Sequence, residues 1–354
     1  MVSWMSYKLY LCCHRRRKQE FNIESVTDPT HVVPNTEEAK DTRTPTHADA
    51  EPNREMDTRA PTPTAAEIQT ISLEDRTFAN SNYKRFYVES QAPLFQHDLL
   101  HSVNEMLKRY AKRTNPALDQ QALLDGVNGF MMKIQDDAFR NNEALQNDVL
   151  AVAEYLWTSG KTHNIVNGME LCSVLNAVIR GDVADEIQAA IIIFRSINSR
   201  RVARKNNHAT IDEQSYPKKG ETWRGGGFRN EFQPFFEKVK GKKYRVPGYL
   251  ATSNQQSVAA AFSFKVGKLL PRAMWRITFD KRGKNKPQYR VQHMSFVSKT
   301  LIPGEHEYLF APYSVFTLVS VEWSSEWIEP HEFTLKAARD NMEEDENLPL
   351  TPWY

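Results

Sequence analysis

The sequence predicts an α+β protein in which a helical N-terminal part precedes a β-rich C-terminal part. Apolar side chains recur at helical spacing up to about residue 200, and after Lys218 they alternate with polar ones in short runs. Residues 22–77 contain no Phe, Tyr or Trp and cannot bury enough apolar area to offset their ordering entropy. These observations predict a disordered region at 1–77, a helical lobe at 78–210 and a β-rich core at 211–354.

A cysteine pair near the N-terminus lies beside a basic run. Cys12 and Cys13 precede Arg15–Lys18, and lipidated cysteines next to basic residues can hold a protein at an anionic membrane surface. This pattern gives the hypothesis of attachment to the inner membrane surface by S-acylation; the alternative is a disordered, basic N-terminus. No run reaches the ~18 apolar residues that a transmembrane helix needs. The sequence therefore predicts a cytoplasmic protein.

Bulk composition excludes several functional classes. The net charge of +2 gives no overall basic field, so no nucleic-acid partner is predicted. The three cysteines do not form a disulfide framework, and Cys172 fits a small buried hydrophobe better than a nucleophile. His97, His101 and His163 are isolated along the chain, so they are predicted to be surface or structural residues. No metal site is predicted.

The helical lobe is predicted from apolar stripes with a period near 3.6 residues. Asp148 before one stripe and Gly160 after it are typical start and stop residues. The stripes cover Leu99–Tyr110, Leu123–Ile134, Val149–Trp157, Leu171–Ile179 and Ile187–Ile197.

The β-rich core is predicted from three runs that contain alternating apolar residues. Trp275, Ile277 and Phe279 alternate strictly with other residues, and Gly and Pro punctuate the runs at positions such as Pro247-Gly248. The runs are Tyr244–Ser253, Arg272–Asp280 and Tyr308–Trp323.

The first chemical motif is a glycine run after an arginine. Arg224 precedes Gly225-Gly226-Gly227, and glycines let a backbone approach a ligand closely. The guanidinium offers a bidentate fork for phosphate. The motif lacks the rest of a P-loop or dinucleotide fingerprint, so by itself it also fits a plain loop.

The second motif is the end of a strand at Thr252-Ser253. Ser253 is predicted as the N-cap of a following helix, with Gln256 completing a capping box. A hydroxyl at a strand end can also bind a ribose or a neighbouring carboxylate. Phe262 lies on the apolar face of that helix, and periodicity alone favours a core position for it.

The third motif is a pair of carboxylates at the start of an apolar strand. Glu305 and Glu307 project to the same face of a strand, roughly 6–7 Å apart. Like charges on one face repel, so the pair is not explained by stability. A solvated sheet edge is one explanation. The other is a reaction that develops positive charge, such as cleavage of the glycosidic bond of NAD through an oxocarbenium-like ribose.

In this order the three motifs resemble the arginine–serine–glutamate group of ADP-ribosyltransferases. The resemblance extends from about residue 160 to the C-terminus, and Phe262 is correctly placed after the Thr-Ser pair. It implies a mixed or antiparallel two-sheet core with an NAD cleft, preceded by a helical lobe. It further implies NAD as a substrate, with NADP as an alternative, and an arginine-containing protein or small guanidino compound as acceptor.

The resemblance also implies a role for each motif residue. Glu307 would stabilise the oxocarbenium ion, and Glu305 would orient the acceptor guanidinium and help take its proton. Arg224 would bind the pyrophosphate of NAD, and the backbone of Gly225 would meet the nicotinamide carboxamide. Ser253 would anchor the strand end near the ribose, where Thr252 is also implied to bind NAD. Phe262 would stack on the nicotinamide ring.

One residue departs from the family pattern. Where the family has Ser-Thr-Ser, this chain has Ala251-Thr252-Ser253, so the first hydroxyl, expected to hold the catalytic glutamate, is missing. Two alternatives to an arginine-specific transferase therefore stay open. One is an NAD glycohydrolase, in which water replaces arginine, and the other is a catalytically silent NAD-binding module.

Overall fold

The structure is a computed structural model, and it describes residues 75–89, 96–117, 119–135, 148–159, 169–199, 216–217, 219–266, 270–297, 304 and 306–352. The hypothesis about Cys12, Cys13 and Arg15–Lys18 lies outside these residues, and so does Glu305. None of the described helices has the length and apolar character needed to cross a membrane.

Six helices precede the first strand in the described part of the chain, and the last five of them match the five predicted apolar stripes. The predicted start at Asp148 is confirmed, because its carboxylate accepts the amide hydrogens of Leu150 and Ala151 at 3.0 and 3.1 Å. The helices are α1 (Asn82–Glu89), α2 (Gln96–Thr114), α3 (Gln120–Gln135), α4 (Val149–Thr158), α5 (Leu171–Gly181) and α6 (Ala184–Ser199).

The helices pack through their apolar stripes into one core. Leu99 and Val103 of α2 and Ile193 of α6 are fully buried there. Arg113 of α2 pairs with the buried carboxylate of Glu186 on α6, with 2.9 Å between Nη2 and Oε2. Removing the partner of a buried carboxylate leaves its charge uncompensated, so the pair holds these two helices against each other.

Eight strands follow the helical part and form one sheet in the order β2-β7-β8-β4-β1-β3-β6-β5. Helix α7 (Gln233–Val239) and helix α8 (Gln256–Val266) lie between strands in sequence. The strands are β1 (Glu221–Gly227), β2 (Lys243–Val246), β3 (Leu250–Ser253), β4 (Arg272–Thr278), β5 (Met294–Phe296), β6 (Glu307–Phe310), β7 (Ser314–Glu322) and β8 (His331–Ala337).

The mixed α+β class is confirmed, but the count of two sheets is corrected to one. The β4–β8 ladder is parallel and the others are antiparallel. Strands β1 and β3 share a single register pair, Trp223 with Ser253. This pair joins a five-stranded part to a three-stranded part, so the two predicted sheets are two halves of one.

Two of the predicted strand runs are each divided in the structure. The run Tyr244–Ser253 breaks at Pro247-Gly248 into β2 and β3, which lie far apart in the sheet order. The run Tyr308–Trp323 breaks into β6 and β7 around Tyr313, whose φ of 59° belongs to a left-handed turn. Apolar residues inside both turns hide the breaks from a pattern search.

Arg245 ties the C-terminal segment to the sheet from a fully buried position on β2. Its guanidinium donates to the carbonyl oxygens of Tyr313, Asn341, Glu344 and Asp345. Its own backbone pairs with the chain at Pro349 and Thr351. Carbonyl acceptors on every side compensate the burial of this charge.

Candidate active site

Three of the predicted site elements lie side by side in the sheet. Ser253 of β3 is in register with Trp223 of β1 on one side and with Glu307 of β6 on the other. Directly paired residues in neighbouring strands have Cα atoms only about 4.5–5.5 Å apart. Arg224 follows Trp223 on β1, so the arginine, serine and glutamate strands are adjacent although 83 positions of sequence separate Arg224 from Glu307.

Strand β3 ends at Ser253 because its hydroxyl turns the chain. The Ser253 Oγ accepts the amide hydrogen of Gln255 at 3.1 Å, and helix α8 begins at Gln256. Ser253 therefore caps the turn before the helix, and the helix begins at Gln256 rather than directly after Ser253 as predicted.

Gly225 is explained by the close approach of α8. A Cβ atom added there would lie 1.7 Å from the carbonyl oxygen of Ala259, so only glycine lets the helix backbone meet β1 at this position. Gly226 has more room, because an added Cβ would meet the Trp275 ring edge at 3.3 Å. The prediction that Gly225 contacts nicotinamide stays a prediction, and helix packing already requires the glycine.

Strands β1 and β3 share only the pair Trp223–Ser253 in the described residues and diverge beyond it. Arg224 reaches across this divergence, and its Nη1 donates to the carbonyl oxygen of Ala251 at 2.9 Å. The Arg224 side chain is half-buried. The place where two strands diverge, next to an arginine side chain, is a suitable place for a phosphate-containing ligand.

Glu307 is half-buried at the first position of β6, and a helix of the lobe holds it. The indole Nε1 of Trp157 on α4 donates to Glu307 Oε1 at 3.2 Å. Trp157 is 4% exposed, and its ring packs on Tyr249 with 5.1 Å between centroids. The sequence does not single out Trp157, because its spacing in the α4 stripe is that of an ordinary core residue.

The Thr252 side chain makes a hydrogen bond within the sheet in this structure. It is buried and in register with Tyr308, and its Oγ1 donates to the Tyr308 carbonyl oxygen at 3.2 Å. Burial raises the pKa of Tyr308 to about 12, and a hydrogen bond with Asn254 opposes that rise. The phenol therefore stays neutral at physiological pH and is not a base. The NAD-binding role of Thr252 remains a prediction.

Phe262 lies half-buried on α8, one residue before the buried Ser263. The ammonium of Lys265 sits 5.3 Å from its ring centroid, so the ring already faces a cation. Its predicted stacking on the positively charged nicotinamide uses the same property of the ring and stays a prediction.

The backbone on both sides of Glu305 is unusual. Gly304 has φ 89° and the exposed His306 has φ 45°, and a left-handed histidine is uncommon. In the described residues before this loop, His293 is buried, with its ring nitrogens 2.9 Å from Ser314 Oγ and from the Ala338 carbonyl oxygen. His293 is therefore part of the core.

In the part of the chain that the structure describes, no three His, Cys, Asp or Glu side chains are grouped to hold a metal ion.

No protein-family model matches the chain, and no curated protein matches it. Among solved structures, the ADP-ribosyltransferase HopU1 of Pseudomonas syringae pv. Tomato is 14% identical, with a TM-score of 0.35 over 67% of this chain and 97% of HopU1. The type III effector XopAI of Xanthomonas axonopodis pv. citri is 14% identical, with a TM-score of 0.40 over 72% and 91% of the two chains. The C3 exoenzyme of Clostridium limosum is 15% identical, with a TM-score of 0.35 over 59% and 93%. These scores are low, so function is argued from the residues of the site.

Proposed function

We propose that the protein transfers ADP-ribose from NAD to the side chain of arginine. The bond between the nicotinamide nitrogen and C1′ of its ribose breaks, and nicotinamide leaves with the bonding electron pair. A guanidino nitrogen of the acceptor then bonds to C1′ and loses a proton. NAD is the donor substrate, with NADP as the alternative donor.

The row formed by Trp223, Ser253 and Glu307 carries the proposal. Residues from three distant parts of the sequence are adjacent in this row, and Arg224 adjoins it on β1. A cation for the pyrophosphate and a carboxylate for the developing positive charge therefore flank one strand end. A solvated edge does not account for Glu307, because its carboxylate is half-buried and accepts a hydrogen bond from Trp157.

Glu307 and Glu305 have separate roles in the proposal. Glu307 stabilises the oxocarbenium-like ribose, which requires a negative charge fixed where positive charge develops. Glu305 pairs with the acceptor guanidinium and receives its proton, because a carboxylate matches the planar fork of arginine. This assignment makes Glu305 the source of the preference for arginine over water.

The two alternatives differ from the proposal in their products. An NAD glycohydrolase needs Glu307 but releases free ADP-ribose, and a silent module binds NAD without cleaving it. Ala251 favours the silent module because it lacks the hydroxyl expected to hold the glutamate. The indole of Trp157 weakens that alternative, because it gives the Glu307 carboxylate a different hydrogen-bond donor.

The test is incubation of the protein with labelled NAD and agmatine, a small guanidino acceptor. The proposal expects labelled ADP-ribosyl-agmatine and free nicotinamide in equal amounts. Free ADP-ribose as the only labelled product supports the glycohydrolase and contradicts the transferase. Unchanged NAD, with binding still measurable by calorimetry, supports the silent module. A parallel reaction with NADP measures the choice of donor.

Substitutions of the two glutamates test their roles. Glu307→Gln should lower both transfer and hydrolysis by at least about 100-fold, a typical cost of removing one electrostatic group from a transition state. Glu305→Gln should lose transfer to agmatine and keep NAD hydrolysis. Glu332→Gln makes the same change from carboxylate to carboxamide at an exposed position on β8. It is the control and should leave both rates unchanged. Transfer by Glu305→Gln at the wild-type rate would falsify the role of Glu305.

A further inference from the structure

We infer that Trp157 is a positioning residue for the reaction, and that its indole N–H holds the carboxylate of Glu307 in its working orientation. The inference rests on the proposed function and adds to it a residue from the helical lobe. The hydrogen bond spans 150 positions of sequence and joins α4 to the first residue of β6.

The indole is itself held firmly. Trp157 is 4% exposed, and its ring packs on Tyr249, which directly precedes β3. The Tyr249 hydroxyl donates to the Phe194 carbonyl oxygen on α6 at 3.2 Å, and its amide donates to Asn176 Oδ1 on α5 at 2.7 Å. Three helices therefore fix the indole, so the position of its N–H is set before any ligand binds.

The neighbouring strand offers no hydroxyl at position 251, where the related pattern has serine. The hydroxyl of the next residue, Thr252, points elsewhere and donates to the Tyr308 carbonyl oxygen. Ala251 instead packs against the core of the helical lobe, which contains Trp157. The Trp157 indole of the helical lobe therefore supplies the Glu307 carboxylate with a hydrogen-bond donor in place of the hydroxyl missing at position 251.

An indole suits this task for chemical reasons. Its N–H only donates, so it stabilises the ionised carboxylate and cannot accept a proton from it. It does not titrate in the working pH range, so the orientation of Glu307 does not depend on the protonation of its support. Packing holds its large ring in place, so side-chain motion changes the orientation of the hydrogen bond to Glu307 very little.

The decisive variant is Trp157→Phe, which keeps an aromatic ring but removes the N–H. It should lower kcat about tenfold, as expected for a hydrogen bond to a charged group. The KM for NAD should stay near the wild-type value, because Trp157 does not contact NAD in the proposal. The acidic limb of the kcat–pH profile should move to higher pH, because the lost donor stabilised the ionised carboxylate. If the Phe variant does not fold, the benzothiophene analogue of Trp157 replaces N–H by sulfur and preserves the ring shape.

Tyr249→Phe is the matched control. It removes a buried hydrogen bond from the same aromatic pair without touching Glu307. It should lower the melting temperature and leave kcat and the pH profile unchanged. A wild-type kcat and pH profile in Trp157→Phe overturns the inference, as does an equal loss of kcat in Tyr249→Phe, which would indicate a purely structural effect.

A second measurement separates this inference from the proposed function. The chain has seven tryptophans, so the spectrum of its ¹⁵N-labelled indoles is simple, and Trp157→Phe identifies the relevant resonance. Glu307→Gln should shift that resonance more than any other indole. A shift without any NAD cleavage by the wild type would overturn the proposed function while showing the contact itself. No shift would overturn the inference even in an active enzyme.

Discussion

His331 is a buried residue on β8 whose ring nitrogens have different partners. Nδ1 accepts the amide hydrogen of Ser324 at 3.0 Å, and Nε2 lies 3.3 Å from the amide oxygen of Asn230. These partners assign the neutral tautomer with hydrogen on Nε2. Protonation of His331 would add a hydrogen to Nδ1, and this hydrogen would clash with the amide hydrogen of Ser324. Burial also lowers the pKa of His331.

The pH dependence of stability follows from this shift. The folded protein binds the His331 proton less tightly than the unfolded chain, whose histidine pKa is about 6.5, so this group destabilises the fold below about pH 6.5. Urea unfolding at pH 5 and pH 7.5 should give a smaller loss of stability on acidification for His331→Gln than for wild type. Replacement of the exposed His101 by Gln should preserve the wild-type difference. An unchanged difference in His331→Gln would contradict this assignment.

At the residue scale, the residue types of the three motifs and their order along the chain predicted Arg224, Ser253 and Glu307. The structure places the strands of these residues next to one another. Trp157 could not be predicted, because an apolar period assigns it to the core and carries no information about its N–H. Its role depends on which strand lies opposite α4. That contact is a property of the tertiary fold, which spacing along one helix does not encode.

At the scale of elements, the contact between α8 and β1 is the tightest feature of the site. An alanine Cβ at Gly225 would overlap the backbone oxygen of Ala259, and a helix backbone cannot yield as a flexible side chain does. The helix would have to move away from the strand that carries Arg224.

Gly225→Ala should therefore lower the free energy of unfolding by about 3 kcal/mol, the upper part of the usual range for overpacking. It should also weaken NAD binding, because Arg224 is the next residue. Gly226→Ala is the neighbouring control and should cost about 1 kcal/mol, since only a ring edge of Trp275 must shift. Urea unfolding and calorimetry measure both effects, and equal losses in the two variants would count against the helix contact.

The types of the longer elements in the lobe were predictable, whereas short elements such as α1, α7, β5 and β8 and the element boundaries were not. The stripes of α2 to α6 are long enough for helical spacing to identify them. The break between β2 and β3 was visible only as Pro247-Gly248 inside one apolar run. Whether such a pair bends a strand or ends it depends on the neighbour available, and here β2 pairs with β7 while β3 pairs with β1 and β6.

At the scale of the whole molecule, the order of helical part before sheet was predictable because each part has its own period. The strand order was not, since a β ladder such as β2 with β7 joins residues about 70 positions apart, and a single-sequence pattern contains no signal for such pairs. For the same reason, the sequence does not predict that the pair Trp223–Ser253 joins the two halves of the sheet.

The N-terminal cysteine pair gives a prediction for the behaviour of the full chain in cells. Cys12→Ser combined with Cys13→Ser should move the protein from the membrane fraction to the soluble fraction, because S-acylation supplies the membrane affinity in this hypothesis. Cys172→Ser is the control, since Cys172 lies half-buried on α5 and should not affect fractionation. Identical fractionation of the double variant and wild type would favour the alternative of an unanchored basic N-terminus.

Arg245 has a consequence for the newly made chain. Most of the carbonyl oxygens that its guanidinium needs belong to residues synthesised 96–100 positions later. Until those residues emerge from the ribosome, water must satisfy the donors that they will bind, and burying the guanidinium without these partners is costly. The nascent chain therefore keeps the outer edge of β2 hydrated during this interval. That interval is when a chaperone can bind the unfinished sheet, and when pairing with another nascent chain is the main hazard.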